Sequence, residues 1–485
     1  MKKQIYGIFL FILFAVTPFL AFSQITLPKV LGDNMVLQQG KKVNIWGLAN
    51  ANETISVKFQ KQTKKTVAKA DGHWSIQLDE LTATKKPQQL VIQGKKERIV
   101  LNNILIGEVW LVSGQSNMEY SMNNHPRYAK PKKGDPNYLY NEYAAANNPI
   151  IRIMHVEKNI KTDTLPSKGW QMINKESLAP FSAIGYFFAK ALAENLDIPV
   201  GVISTTWGGT YIETWTSEQA YLNAPIFADK VSNRKLAGVT IGERYDKMVA
   251  PMIPYSLKGF LWYQGEQNLI AGDLDIYADK QKLLIDSWRK AWGDDNLSFY
   301  YVQLAPYAYS LRRQDDVAKT WEALPRFWEI QTSCMDIPHT GMVVTTDLVD
   351  NAKDIHPSYK WIVAERLSRW ALAKDYGNTH IVYSGPTFKK MDIQGDNIVL
   401  EFDNAGSGLT TNDGKAPDWF YIRDTRGRFV KANATIESNK IIIPKKMVQE
   451  PINIRFGWDE LAMPNLFNSE GLPAIPFRVS ADKML

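Results

Sequence analysis

Residues 109–118 read VWLVSGQSNM. Val109 to Val112 is an unbroken apolar run, as expected of a strand covered on both faces. It passes directly into Gly114-Gln115-Ser116-Asn117, a polar stretch with a hydroxyl at its centre. Gly, Ser and Asn are ordinary turn residues, so the stretch is either a turn or a nucleophile held at the end of a buried strand. What surrounds it decides.

Outward from this point the chain has three textures. Residues 25–105 consist of short alternating runs (NMVLQQ, KVNIWG, TISVKF, HWSIQL) separated by Gly, Asn and Lys turns, which is the pattern of antiparallel β-sandwich strands. From about 106 to 380 strands alternate with helices. The predicted strands are Glu108–Val112, Val200–Ser204, Gly259–Tyr263, Ser298–Leu304 and Met342–Thr346. Ile184, Phe188, Ala191 and Leu192 form a helical stripe, and Val363, Leu367, Trp370 and Ala371 repeat its spacing. Pro357 near the start and Gly377 past the end bound this second helix. Such alternation implies a parallel sheet covered on both faces, with ligands outside the carboxyl ends of its strands. From 381 to 485 the β texture returns (NIVLEF, WFYIRD, KIIIP, INIRF). The polar segment Ser121–Asn148 is long enough to be a lid or binding loop.

The organisation is therefore residues 1–23 as a signal peptide, 24–105 as an N-terminal β-sandwich domain, 106–380 as a parallel-sheet α/β domain and 381–485 as a C-terminal β-sandwich-like domain. Lys2 and Lys3 precede the apolar stretch Ile5–Leu20, and Ala21-Phe22-Ser23 has the small-x-small form of a cleavage site. The stretch is short for a span of roughly 20 residues. It predicts secretion or a periplasmic location after cleavage near Ser23–Gln24, with no membrane insertion afterwards. Cys334 is the only cysteine, so the chain has no internal disulfide, and Cys334 reads as core packing within a helix. The net charge of +7 falls to +5 without Lys2 and Lys3, and the lysines are scattered. The densest run, 61–69 (KQTKKTVAK), suits a solvated strand edge rather than a nucleic-acid partner.

A serine alone is a poor nucleophile and needs a base within hydrogen-bond reach. Of six histidines, His356 alone follows a strand, stands beside acids and precedes a helix, in Asp354-Ile355-His356-Pro357. A nearby carboxylate would hold the imidazole tautomer and stabilise its charged form. TTWGGTYIETW (205–215) puts Gly208 and Gly209 after a strand, where a backbone N–H can face an oxyanion. WYQGEQN (262–268) adds the amides of Gln264 and Asn268. Four polar strand ends, each supplying part of an acyl-transfer apparatus, are hard to attribute to turns. No His, Asp or Glu cluster has metal-ligand spacing, and neither metal nor cofactor is expected.

SGQSNM, TTWGGTYIETW, WYQGEQN and DIHP, in this order, resemble the sialate O-acetylesterase family within the SGNH/GDSL hydrolases. RFGWDELAMPNLFNSEGLPAIPFR (455–478) and LPKVLGDNMVLQQ (27–39) extend the likeness over nearly the whole mature chain. The resemblance implies an SGNH-type serine esterase that removes O-acetyl groups from carbohydrate, O-acetylated sialic acid first and acetylxylan or another polysaccharide as the alternative. It implies Ser116 as nucleophile, His356 as base, and an oxyanion hole from the Ser116 and Gly209 amides with Gln264 or Asn268. The orienting acid is Asp354, with Asp347, Asp350 and Glu266 as alternatives. Trp207, Tyr211 and Trp215 are candidates for sugar stacking and Arg127 for a substrate carboxylate. A non-catalytic carbohydrate-binding protein would leave Ser116 and His356 idle, as would a glycosidase using Glu213 and Glu266.

Overall fold

The computed structural model describes residues 24–123, 131–311, 320–424, 426–445 and 451–480. Residues 1–23, expected to be a signal peptide, and Arg127 lie outside them.

The central sheet is built on one long strand, β1 (Arg98–Gly114). Its other members are β2 (Ile151–Val156), β3 (Ser167–Met172), β4 (Val200–Thr206), β5 (Gly259–Tyr263), β6 (Ser298–Val302) and β7 (Thr340–Val343). They lie in the order β7-β6-β5-β1-β4-β2-β3. All neighbours are parallel except β2 and β3. Every residue of β4, β5 and β6 is buried, because helices cover both faces and leave no solvated side to alternate against. Trp110 and Tyr300 meet Phe188 and Trp370 on one face, whereas Phe260, Trp262 and Phe299 meet Trp288 on the other.

The helices that matter here are α1 (Ser116–Glu119), α2 (Ala183–Leu196), α3 (Glu266–Ile270), α4 (Tyr277–Trp292), α5 (Ala323–Ser333) and α6 (Lys360–Lys374). Ser182 caps α2 by accepting from the Gly185 amide at 3.2 Å, and Asp197 ends it in a left-handed conformation. Three of the predicted stripe residues, Ile184, Phe188 and Leu192, are buried, as are Val363, Leu367, Trp370 and Ala371 of α6. The second helix begins at Lys360, three residues after Pro357.

The N-terminal region forms small antiparallel sheets, pairing 43–48 with 73–78 and 54–59 with 62–67 and 84–93. The division expected at 105/106 falls inside β1. The first half of this strand pairs with 84–93 and its second half with β4 and β5. One apolar core runs from Ile25 through both regions. The C-terminal region has antiparallel sheets and a separate core around Ile398, Leu400, Ile422, Ile441 and Phe456. Among the described residues no helix is long and apolar enough to cross a membrane.

Candidate active site

β1 lies between β4 and β5, and the chain passes from one flank to the other. The crevice of a doubly wound sheet opens where the order reverses in this way. The three strand ends are stitched together there: the Trp207 amide donates to Gly114 O and the Gln115 amide to Tyr263 O, each at 3.0 Å. Gly114 has φ +135°, and a Cβ on it would collide with the Tyr263 carbonyl. Only glycine lets the chain turn here and leave Ser116 as the first residue of α1.

His356 Nε2 is 2.9 Å from Ser116 Oγ. Asp354 Oδ1 accepts the His356 backbone N–H at 2.9 Å and lies 3.8 Å from His356 Nδ1. The other candidate acids are engaged elsewhere. Asp347 takes a two-pronged ion pair from Arg366 at 2.8 and 2.6 Å. Asp350 accepts the Tyr359 hydroxyl at 2.7 Å and the Lys132 amide at 2.8 Å. Glu266 accepts from Asn117 Nδ2 at 2.6 Å, and burial raises its carboxyl above the usual range. Of the four, Asp354 is the one drawn against the imidazole.

Gly208 passes so close that a Cβ would stand 3.2 Å from Ser116 Cβ, and its amide donates to Glu119 Oε2 at 2.5 Å. That leaves Gly209, at φ +70°, as the next amide on the turn. Gln264 and Asn268 do not join it. Gln264 Nε2 donates to Thr210 O at 3.0 Å and Asn268 Oδ1 at 2.7 Å. Asn268 Nδ2 donates to Glu213 at 3.0 Å and Asp273 at 3.0 Å. A side-chain amide has two N–H donors, so neither residue retains one for an oxyanion, and both are fully buried. Their expected place in the hole is corrected to a structural network beneath it.

Trp207 and Tyr211 remain partly accessible, and the Arg244 guanidinium stacks over Trp207 at 4.8 Å. Trp215 is fully buried and donates to Thr210 Oγ1 at 2.9 Å, so it offers no face to a sugar. A cavity of about 470 Å³ opens beside Gly209, lined by Tyr211, Thr214, Val239, Thr240 and Arg244 among others. A second cleft of about 940 Å³, between α4 and the 333–339 segment, includes none of these residues. Glu213 is buried against Lys280 at 2.7 Å. With Glu266 also buried, neither carboxylate of the glycosidase reading reaches a substrate.

Sequence reasoning missed Arg244, Asn117 and Lys360. Lys360 had a readable signal: it lies on the buried stripe of α6 with Val363, Ala364, Leu367 and Ala371, an unusual place for a lysine.

A parallel α/β sheet with a serine and a histidine joined outside its central strand ends defines the SGNH type of hydrolase fold. Comparison with known proteins narrows this. The model of the family "carbohydrate esterase, sialic acid-specific acetylesterase" matches residues 106–366, and the chain belongs to that family. The human sialate O-acetylesterase is 27% identical over 75% of this chain and 73% of its own length. That of Pongo abelii is 25% identical over 92% and 91%. The crystal structure of a carbohydrate acetylesterase from Xanthomonas citri superposes with a TM-score of 0.82 at 32% identity, covering 94% of this chain and 100% of that one.

Proposed function

We propose that the protein is an exported serine esterase that removes O-acetyl groups from carbohydrate, with O-acetylated sialic acid as its first substrate. The observation that carries the mechanism is the 2.9 Å approach of His356 Nε2 to Ser116 Oγ. His356 takes the Ser116 proton as Oγ attacks the acetyl carbonyl carbon. The carbonyl electrons move onto oxygen, where the Ser116 and Gly209 amides receive them. Each such donor contributes about 3–4 kcal/mol in the transition state. Collapse breaks the bond to the sugar oxygen, which leaves with the proton from His356. Water, deprotonated by the same imidazole, then releases acetate and restores Ser116. Asp354, 3.8 Å from Nδ1, offsets the imidazolium charge.

The sugar occupies the cavity beside Gly209, with Tyr211 and Arg244 on its walls and Trp207 against the Arg244 guanidinium. A cationic group there suits the carboxylate of a sialic acid. Acetylxylan or another neutral polysaccharide is the alternative substrate. The names of the relatives support acetylated carbohydrate, and the form of residues 1–23 supports a secreted or periplasmic location.

The test is acetate release by wild type and Ser116→Ala from a chromogenic acetate, O-acetylated sialic acid and acetylated xylan. Wild type is expected to hydrolyse all readily accessible acetates and to favour the sialic acid, while folded Ser116→Ala releases none. Near-normal turnover by the variant refutes covalent catalysis at Ser116. A wild type inactive on every acetate leaves a carbohydrate-binding protein.

A further inference from the structure

Asn117 directly follows the serine, and its side chain reaches the residue that directly precedes the histidine. Its Nδ2 donates to Ile355 O at 3.0 Å and to Glu266 Oε1 at 2.6 Å. Its Oδ1 accepts from Lys360 Nζ at 2.6 Å. Asn117, Glu266 and Lys360 are 1%, 2% and 0% exposed. Four separate pieces of chain therefore meet on one amide: α1, α3, the turn carrying His356, and the first residue of α6.

We infer that Asn117 is the positioning residue that holds Ser116 and His356 together, and that Lys360 and Glu266 act through it by fixing which way its amide points. An asparagine can present either oxygen or nitrogen to a neighbour. Lys360 Nζ donates to the amide oxygen and Glu266 Oε1 accepts from the amide nitrogen. Between them the amide has one orientation, with nitrogen toward the Ile355 carbonyl. The flipped amide would set its oxygen against both that carbonyl and Glu266.

Stability is a weak reason for such a cluster. Desolvation of a buried lysine and glutamate offsets most of their attraction, and apolar replacements are often neutral or better. Glu266 Oε2 has no hydrogen-bond partner among the described residues. The groups facing Lys360 are Glu266, Asp354 and the rings of Tyr120 and Tyr263, at 5.0 and 5.6 Å. Burial pulls its ammonium down to about 7, opposed by Glu266 and Asp354. Because Lys360 also acts on Asp354, its charge partly cancels the field that Asp354 exerts on His356. Removing it should stabilise the imidazolium and move the acid limb of kcat/KM to higher pH.

This rests on Ser116 and His356 performing the hydrolysis, so Ser116→Ala is measured alongside. Full-length Asn117→Leu, Lys360→Met, their double variant, Glu266→Leu and Glu266→Gln are compared on a chromogenic acetate, with folding checked by thermal melting. Lys360→Met removes only one charge of the buried pair and leaves Glu266 uncompensated. Lys360→Met/Glu266→Leu, which removes both charges, is therefore measured beside it and keeps the comparison decisive if either single variant fails to fold. The expected loss is about 10²-fold in kcat for Asn117→Leu and for Lys360→Met, the cost of a small displacement of reacting groups, with KM within about threefold. The double variant should be no worse than Asn117→Leu alone, since Lys360 works through that amide. Glu266→Gln keeps the acceptor and should retain more activity than Glu266→Leu. A folded Lys360→Met with unchanged kcat and an unmoved acid limb overturns the proposal. So do losses that multiply in the double variant, or a rise confined to KM. If Ser116→Ala is inactive while Lys360→Met is unimpaired, only the positioning role fails. If Ser116→Ala keeps turning over, the reading of the site itself falls.

Discussion

Asp354 and Asp347 lie seven residues apart and illustrate two uses of a carboxylate. Asp354 touches His356 from both its backbone and its ring side, whereas Asp347 is locked to Arg366, which also donates to Val344 O at 2.8 Å. Asp354→Asn should lower kcat by up to about 10⁴-fold, the loss the chymotrypsin template shows for its aspartate, with melting nearly unchanged. Asp347→Asn should do the reverse: near-normal kcat but a loss of about 3–5 kcal/mol, because Arg366 would remain buried without its partner. Steady-state kinetics and melting of both variants check this, and activity loss in Asp347→Asn alone would move the acid there. His356 must be neutral to accept the serine proton, so kcat/KM should fall as pH drops through the imidazole range. A rate that stays flat well below that range would exclude His356 as base. That Ser116 and His356 would come together was legible because strand ends in a parallel sheet converge on one crevice. Gln264 and Asn268 were not, since residue type reveals that an amide is present but not which neighbours already occupy it.

Among the elements, the turn from β1 into α1 carries the most constraint. Gly114→Ala combines an unfavourable φ with a collision against the Tyr263 carbonyl. Where the backbone permits it, Gly→Ala stabilises by up to about 1 kcal/mol; here it should destabilise by more than that and should misplace Ser116. The check is a melt together with kcat. A variant matching wild type in both would show that the turn tolerates a side chain. The interior strands were readable as continuous apolar runs, and both helical stripes lay on buried faces. Strand β2 and the edge strand β3 were less legible, and burial is mixed in β3. The N-terminal residues that extend β1 back from Leu105 read as part of another domain, because a change of sheet partner leaves no mark in the strand's own composition.

At the scale of the molecule, β1 is a shared beam: it belongs to the N-terminal sheet and to the hydrolase sheet at once. Residues 106–380 expressed alone should therefore not fold. Each aliphatic side chain that the missing region leaves uncovered forfeits about 1.5–3 kcal/mol of burial, against a typical total of about 5–15. Soluble, cooperatively melting 106–380 would contradict this. The C-terminal region keeps its own core and is attached through Ala462 and Ile475, which pack in the main core, and through Arg455–Glu322 at 2.8 Å, Arg478–Glu329 at 2.8 Å and the Ser310 amide on Glu460 at 2.9 Å. The change of texture near 381 foretold its separate core. These cross-links it could not foretell, since each joins residues more than a hundred positions apart.

Cys334, just past the end of α5, is 3% exposed, and burial pushes its thiol up to about 12. Only the thiolate reacts, so the folded chain should resist alkylation at neutral pH although the unfolded chain accepts it at once. With one sulfhydryl in the whole sequence, modification becomes a clock. The rate at which a maleimide is consumed measures how often the α5 end opens to solvent. Comparing that rate with and without a slowly hydrolysed ester would reveal whether occupancy of the crevice tightens the distant side of the sheet. Rapid labelling of the native protein would mean that this corner of the core is open far more often than its packing implies.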